Sequence, residues 1–170
     1  MLRRPRPRGS RRLPHKVMFY DGFDSPLSHL IFSATEIFLQ PSMFEPCGLT
    51  QLAAMRYGAV PVVRAVGGLD DTVVDEGERS RGGEATGFKF KELVEPTQMV
   101  DEAAASDEFL KAMERAINLK IANQDRWNQL IANGMNRDSS WTIPAMQYAR
   151  LYDAALANNL QRWCEPASQF

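Results

Sequence analysis

The chain has 170 residues, of which 44% are hydrophobic and 24% charged, and its formal charge is −1. These values are typical of one globular domain and exclude collagen and a chain that is disordered throughout. The longest wholly apolar run, Ala59 to Val63, is far shorter than the roughly 18 residues that span a bilayer, so we expect no membrane partner.

Charge is unevenly distributed along the chain. Residues 1–16 hold seven of the 20 basic residues and no acidic one, which leaves about −8 for residues 17–170. We interpret residues 1–15 as a basic disordered leader, and a targeting leader and a translation-start artefact both stay open. A basic segment can contact nucleic acid, but we expect no nucleic-acid partner here.

The first predicted elements are a strand, a helix and a strand. The apolar run at residues 16–20 predicts a buried strand. Asp24 or Ser25 can then cap a helix that has Pro26 in its first turn. The helical spacing places three apolar residues on one face: Leu27, Leu30 and Ile31. Residues 36–40 predict the second strand.

A second helix and a third strand follow. The helix starts at Gly48 and has Gly58 at its C-cap, and residues 59–63 form the strand. Gly67 and Gly68 then predict a turn. Strands that alternate with helices at this spacing indicate a parallel sheet, so we expect an α/β, Rossmann-like fold.

The pattern in the middle of the chain is weaker. Residues 75–85 are polar and glycine-rich and predict a solvated loop, and residues 86–91 predict one more strand. Residues 92–105 show little periodicity, so we expect them to be irregular.

Three C-terminal helices complete the prediction. The first is capped by Ser106 or Asp107, the second covers residues 125–135, and the third runs from about Pro144 to Leu156. Their expected apolar stripes are Leu110, Met113, Ile117 and Ile121 in the first; Trp127, Leu130 and Ile131 in the second; Tyr148, Leu151, Tyr152 and Ala155 in the third.

Two loops lie where an open parallel sheet binds ligands, beyond the carboxyl ends of its strands. The first offers the acid Glu45 just before a helix whose free N–H groups can hold phosphate oxygens. The second contains Gly67 and Gly68, which permit a turn that aims further N–H groups at an anion. A nucleotide sugar suits this pair of loops. The alternatives stay open, since Glu45 can be a capping partner and the glycines only a turn.

The cysteines and histidines point to no metal site. Cys47 and Cys164 do not make a disulfide framework and favour a reducing compartment. Together with His15 and His29 they contain no CxxC pair, so we expect no zinc site.

The longest motif is Phe44-Glu-Pro-Cys-Gly-Leu-Thr-Gln-Leu52, which is followed by Met55-Arg-Tyr-Gly58, Val60-Pro-Val-Val-Arg64 and Gly67-Gly-Leu69. This series closely resembles the C-terminal lobe of starch and bacterial glycogen synthases, and most of all the soluble plant starch synthases of class III. The resemblance covers about residues 17–156. It divides the chain into the leader at 1–15, a donor-binding lobe at 16–157 and a C-terminal tail at 158–170.

The resemblance implies a retaining glycosyltransferase of the GT-B fold. Such enzymes transfer glucose from ADP-glucose to the non-reducing end of an α-1,4-glucan, so the implied partners are this nucleotide sugar and a glucan acceptor. No cofactor and no metal is implied. The implied location is a plastid, or the cytoplasm if the source is bacterial.

The resemblance also implies roles for individual residues. Glu45 resembles the family's essential catalytic acid. Phe23 resembles a ring that stacks on adenine, and Cys47 resembles a wall beside the sugar. The other implied donor-binding residues are Gly48, Leu49 and Thr50 in the first loop and Gly67, Gly68 and Leu69 in the second.

The family pattern is incomplete in these 170 residues. The N-terminal lobe with its Lys-x-Gly-Gly-Leu loop is absent, as are the upstream Arg and Lys that neutralise the diphosphate. Losing such contacts removes several kcal/mol of transition-state stabilisation, so we expect the isolated chain to transfer little or no glucose. The alternative function is a non-catalytic module that binds a nucleotide sugar or a glucan, or that pairs with a full-length synthase.

Overall fold

The computed structural model describes residues 15–77, 84–91 and 102–164. The elements in chain order are α1 (Ser25–Ala34), β1 (Ile37–Gln40), α2 (Thr50–Arg56), β2 (Val60–Arg64), α3 (Gly67–Thr72), β3 (Phe88–Phe90), α4 (Glu102–Ala122), α5 (Gln124–Asn136) and α6 (Thr142–Cys164).

The three strands form one parallel sheet in the order β1-β2-β3. Ile37 lies opposite Val60, and Val62 lies opposite Phe88. Each strand follows its neighbour through a helical connection, so all the carboxyl ends meet at one edge. The predicted α/β parallel architecture is confirmed.

The two faces of the sheet are covered by different helices. On one face, a cluster of strand and helix side chains packs between the sheet and helices α4 and α5. Its buried members are Val60, Val62, Ala85, Phe88, Phe90, Ala112, Ala116, Trp127 and Leu130. On the other face, Val63 packs against Leu69 and Val73, at and just after α3. Alternation along β2 produces this division, because successive side chains point to opposite faces.

Local sequence signals explain several element ends. Asp24 is the N-cap of α1, and its carboxylate accepts a hydrogen bond from the N–H of Leu27 at 3.0 Å. Gly58 follows α2 with a φ of 86°, in the left-handed region that favours glycine. The predicted cap at Asp24 is confirmed, and the predicted glycine lies one residue beyond the C-cap of α2, which is Tyr57.

Replacing Trp127 by alanine is expected to destabilise the fold by about 3–5 kcal/mol, because the indole is 2% exposed and its removal leaves a cavity in the main core. Chemical denaturation followed by circular dichroism measures this. Trp141 is the matched control, since it is 70% exposed, and its replacement by alanine is expected to destabilise by less than about 1 kcal/mol. Equal losses for the two variants would contradict the packing described.

The predicted first strand, at residues 16–20, is wrong. The described part of this segment is not paired with any strand, and its apolar side chains are exposed. A strand is stable only when its backbone groups are paired. Because β1 is an edge strand of the described sheet, residues 16–20 do not pair with it. An apolar run alone was therefore not enough to predict sheet structure.

Two predicted helix faces are also wrong. In α1, Leu30 and Ile31 are exposed, and the helix packs instead through Phe32, whose ring contacts Phe38. In α4, Leu110 and Ile121 are exposed, whereas Ala112 and Ala116 are buried. Small side chains lie against β3 because its phenylalanine rings already fill the space; Phe90 contacts the ring of Phe109.

Several helix boundaries in the structure differ from the predicted ones. Gly67 and Gly68 begin the short helix α3 instead of forming a simple turn. Helix α4 begins at Glu102, within the segment predicted to be irregular, whose residues 92–101 lie outside the described ranges. Helix α6 extends to Cys164, and its tyrosines Tyr148 and Tyr152 are exposed.

The loop predicted at 75–85 is not wholly solvated. Asp75 is buried and accepts hydrogen bonds from the guanidinium of Arg115 at 2.7 Å and from the N–H of Lys89. Asp75 thus joins this loop to α4 through the ion pair and to β3 through the backbone hydrogen bond. Residues 78–83 of this loop lie outside the described ranges. Within the described helices, none is long and apolar enough to cross a membrane.

Candidate functional site

The candidate acid lies at the carboxyl edge of the sheet. We call residues 41–49, which connect β1 to α2, the acid loop. Glu45 is half-buried there, and its Oε2 accepts hydrogen bonds from Gln40 Nε2 at 3.1 Å and from Ser42 Oγ at 3.3 Å. The carboxylate is thus held by two neutral donors.

The acid loop ends at the open N-terminus of α2. Gly48 is buried and has a φ of 66°, which places it in the left-handed region that glycine favours. In the described part of the chain, no acceptor takes the N–H groups of Gly48, Leu49 or Thr50. These three donors lie at the start of α2, where the backbone dipoles of the helix favour an anion.

A second loop touches the acid loop through backbone atoms. We call residues 67–69 the glycine loop; they open α3 at the carboxyl end of β2. The N–H of Gly68 donates to the carbonyl oxygen of Glu45 at 3.0 Å. A Cβ atom at Gly68 would lie 1.6 Å from the carbonyl oxygen of Cys47, and one at Gly67 would lie 2.2 Å from that of Glu45. The glycine pair is therefore what allows the two loops to touch.

Gln51, in α2, links the acid loop to α3, the helix that the glycine loop opens. Its side chain is fully buried, and its Nε2 donates to the carbonyl of Gly48 at 2.8 Å and to the hydroxyl of Thr72 at 2.9 Å. That hydroxyl in turn donates to the carbonyl of Gly68. Gln51 and Thr72 were not among the predicted site residues, and nothing in their local sequence distinguishes them from ordinary helix positions.

The structure brings most of the predicted site residues together. Glu45, Cys47, Gly48, Gly67 and Gly68 meet through the contacts above. The thiol of Cys47 is exposed, and Leu49 and Thr50 are exposed at the start of α2. Leu69 differs: its side chain is buried against Val63, and its N–H donates to Val66.

Phe23 stands apart from this group. It lies in the segment before α1, is 96% exposed, and takes part in no ring contact among the described aromatic residues. Its predicted stacking on adenine stays a prediction.

The described basic groups near this edge are engaged with protein partners. Lys89 is buried and its Nζ lies 2.8 Å from Asp70 Oδ1. The guanidinium of Arg64, at the end of β2, lies 5.4 Å from the centroid of the Phe90 ring. Over the described ranges, no three His, Cys, Asp or Glu residues are grouped so as to hold a metal ion, and the predicted independence from metals stays a prediction.

An α/β lobe with an acid and two touching loops at the carboxyl edge of a parallel sheet has the geometry of a nucleotide-binding domain. The family model described as "Glycosyl transferases group 1" matches residues 8–134. The chain belongs to this family.

The relatives are more specific. The chain is 41% identical over 146 residues to a glycogen synthase of Thermotoga petrophila, a match that covers 86% of the chain and 27% of the relative. It is 43% identical over 143 residues to glycogen synthase 2 of Bradyrhizobium diazoefficiens, covering 84% of the chain and 27% of the relative.

A solved structure agrees with these relatives. The catalytic domain of starch synthase IV from Arabidopsis thaliana, bound to ADP and acarbose, superimposes with a TM-score of 0.68 and 38% identity. The match covers 80% of this chain and 26% of that one. The predicted resemblance to starch and glycogen synthases is confirmed, and the chain spans about a quarter of the length of the proteins that it matches.

Proposed function

We propose that this chain is the donor-binding lobe of a starch or glycogen synthase, which transfers glucose from ADP-glucose to the non-reducing end of an α-1,4-glucan with retention. The observation that carries the proposal is the position of Glu45. Its half-buried carboxylate stands at the carboxyl edge of the sheet, in the loop that ends at three open backbone donors.

Each group in the site has a role in this reaction. The N–H groups of Gly48, Leu49 and Thr50 hold the sugar and the distal phosphate of the donor. The Glu45 carboxylate accepts hydrogen bonds from the glucose hydroxyls and stabilises the positive charge that develops on the sugar as its bond to the diphosphate breaks. In the glycine loop, the N–H of Gly67 is the donor left open by the described contacts, since those of Gly68 and Leu69 are used.

Two proposed contacts depend on exposed side chains, that of Cys47 in the acid loop and that of Phe23 before α1. Phe23 stacks on adenine, and its exposure leaves the ring face accessible. Cys47 forms a wall beside the sugar, where its exposed thiol contacts the ligand without acting as a nucleophile. The proposed location of the protein is a plastid, in keeping with the resemblance to plant starch synthases, or the cytoplasm if the source is bacterial.

Titration of the purified chain with ADP-glucose, ADP and UDP-glucose, followed by calorimetry, tests the proposal. We expect saturable binding of ADP-glucose that is tighter than binding of ADP, and weaker binding of UDP-glucose. If neither adenine nucleotide binds, the donor-site assignment fails.

An incorporation assay with labelled ADP-glucose and a glucan primer tests what the 170-residue chain does alone. We expect binding with little or no transfer, because the chain spans only 27% of relatives such as the Thermotoga enzyme and the basic groups described at this edge are engaged. Normal turnover would contradict this expectation. Binding of glucan without binding of ADP-glucose would favour the alternative function, a non-catalytic module that binds a glucan or pairs with a full-length synthase.

A further inference from the structure

Gln40, the last residue of β1, connects two residues of the candidate site. Its Nε2 donates to Glu45 Oε2 at 3.1 Å, and its Oε1 accepts from the hydroxyl of Thr50 at 3.0 Å. Gln40 is half-buried, whereas Thr50 is exposed at the start of α2. The amide thus connects the middle of the acid loop to the first residue of α2.

The direction of this chain of hydrogen bonds is fixed by the carboxylate. An ionised carboxyl group can only accept hydrogen bonds, so the amide must present its NH₂ group to Glu45. Its oxygen then faces Thr50, and the hydroxyl of Thr50 must donate. A hydroxyl that donates to Gln40 has no second proton to give to a phosphate.

We propose that Gln40, oriented by Thr50, is a positioning residue that fixes the Glu45 carboxylate towards the sugar of the donor. The inference rests on the proposed function, because it assumes that Glu45 contacts the donor sugar. The backbone N–H of Thr50 stays available to the ligand, while its side chain acts through Gln40.

Substitution of Gln40 is the first arm of the test. Gln40→Met keeps the length of the side chain and removes both hydrogen bonds. We expect the affinity for ADP-glucose to fall about tenfold while the affinity for ADP stays within about twofold, since only the sugar-dependent part of binding uses Glu45. Gln124→Leu is the control, because Gln124 donates to Asn128 on the surface of α5, and it is expected to bind both ligands as the wild type does. Equal weakening of ADP and ADP-glucose by Gln40→Met would overturn the proposal.

Substitution of Thr50 separates action through Gln40 from direct contact. We expect Thr50→Val to reduce ADP-glucose affinity about three- to fivefold and Thr50→Ser to restore it, because serine keeps the hydroxyl. In a Gln40→Met background, Thr50→Val is expected to have no further effect. If Thr50→Val weakens ADP binding in both backgrounds, its hydroxyl contacts the phosphate directly and the proposal is wrong.

A measurement without ligand keeps this inference separate from the proposed function. The side-chain amide resonances of Gln40, recorded by NMR without ligand, are expected to shift when Glu45 is replaced by alanine, and to stay in place in the surface control Glu108→Gln. A resonance that does not respond would overturn the inference whatever binds. The resonance can instead respond while the wild type binds ADP-glucose no better than ADP. In that case the hydrogen bond between Gln40 and Glu45 exists, but Glu45 does not contact a donor sugar. The proposed function then fails, and so does the part of the inference that directs Glu45 towards the sugar.

Discussion

Replacing Glu45 by glutamine is expected to weaken ADP-glucose binding by about 10- to 100-fold and to leave ADP binding within about twofold. Hydrogen bonds to a charged group contribute about 1.5–3 kcal/mol, and in the proposed site the sugar hydroxyls make them to this carboxylate. Glutamine has nearly the same shape, and its oxygen can still accept from Gln40, so the acid loop keeps its conformation. The variant therefore isolates the charge of Glu45.

Calorimetric titration of both ligands against the wild type and Glu45→Gln measures this effect. Glu108→Gln is the matched control, because Glu108 lies on α4 and pairs with Lys111 at 2.8 Å on the surface. Such a pair contributes little to stability, and we expect the control to bind both ligands normally. A Glu45→Gln variant with unchanged ADP-glucose affinity would remove the sugar contact from the proposed site.

The sheet could be predicted from the sequence because its signals are local. The apolar runs of β1 and β2 each follow a helix with a local end signal, such as Asp24 before α1 or Gly58 after α2, whose geometry depends on a few neighbouring residues. Burial on the helices depends on tertiary packing instead. Leu110 is more hydrophobic than Ala112, yet Ala112 is buried because a small side chain fits against the phenylalanine rings of β3.

In the candidate site, too, only the residues with a local sequence signal could be predicted. Glu45 and Gly48 could be identified because a strand, a loop and a helix N-terminus follow one another in the sequence. Gln51 could not, because its partner Thr72 lies 21 residues away. The proposed role of Gln40 likewise depends on the hydrogen bond from the hydroxyl of Thr50, which lies 10 residues further along the chain. Residues that hold a site in place are visible only in three dimensions.

The other large effect is expected at Gly68, where alanine should destabilise the fold by about 3 kcal/mol and lower the melting temperature by roughly 6–12 °C. The added Cβ would lie 1.6 Å from the carbonyl oxygen of Cys47, and the obstacle is backbone, which no rotamer change can move away. The two loops must separate, which also lengthens the hydrogen bond from the Gly68 N–H to the Glu45 carbonyl.

Thermal denaturation of Gly68→Ala, with and without ADP-glucose, measures both consequences. Gly22→Ala is the control, because the atoms nearest to its Cβ would belong to the flexible side chain of Tyr20, at 3.2 Å, and its melting temperature is expected to stay within about 2 °C of the wild type. A Gly68→Ala variant with the wild-type melting temperature would contradict the contact between the loops. Since the contact is made by the backbone of Glu45 and Cys47, a variant that folds with the loops apart should also lose the preference for ADP-glucose over ADP, even though every side chain of the proposed site is still present.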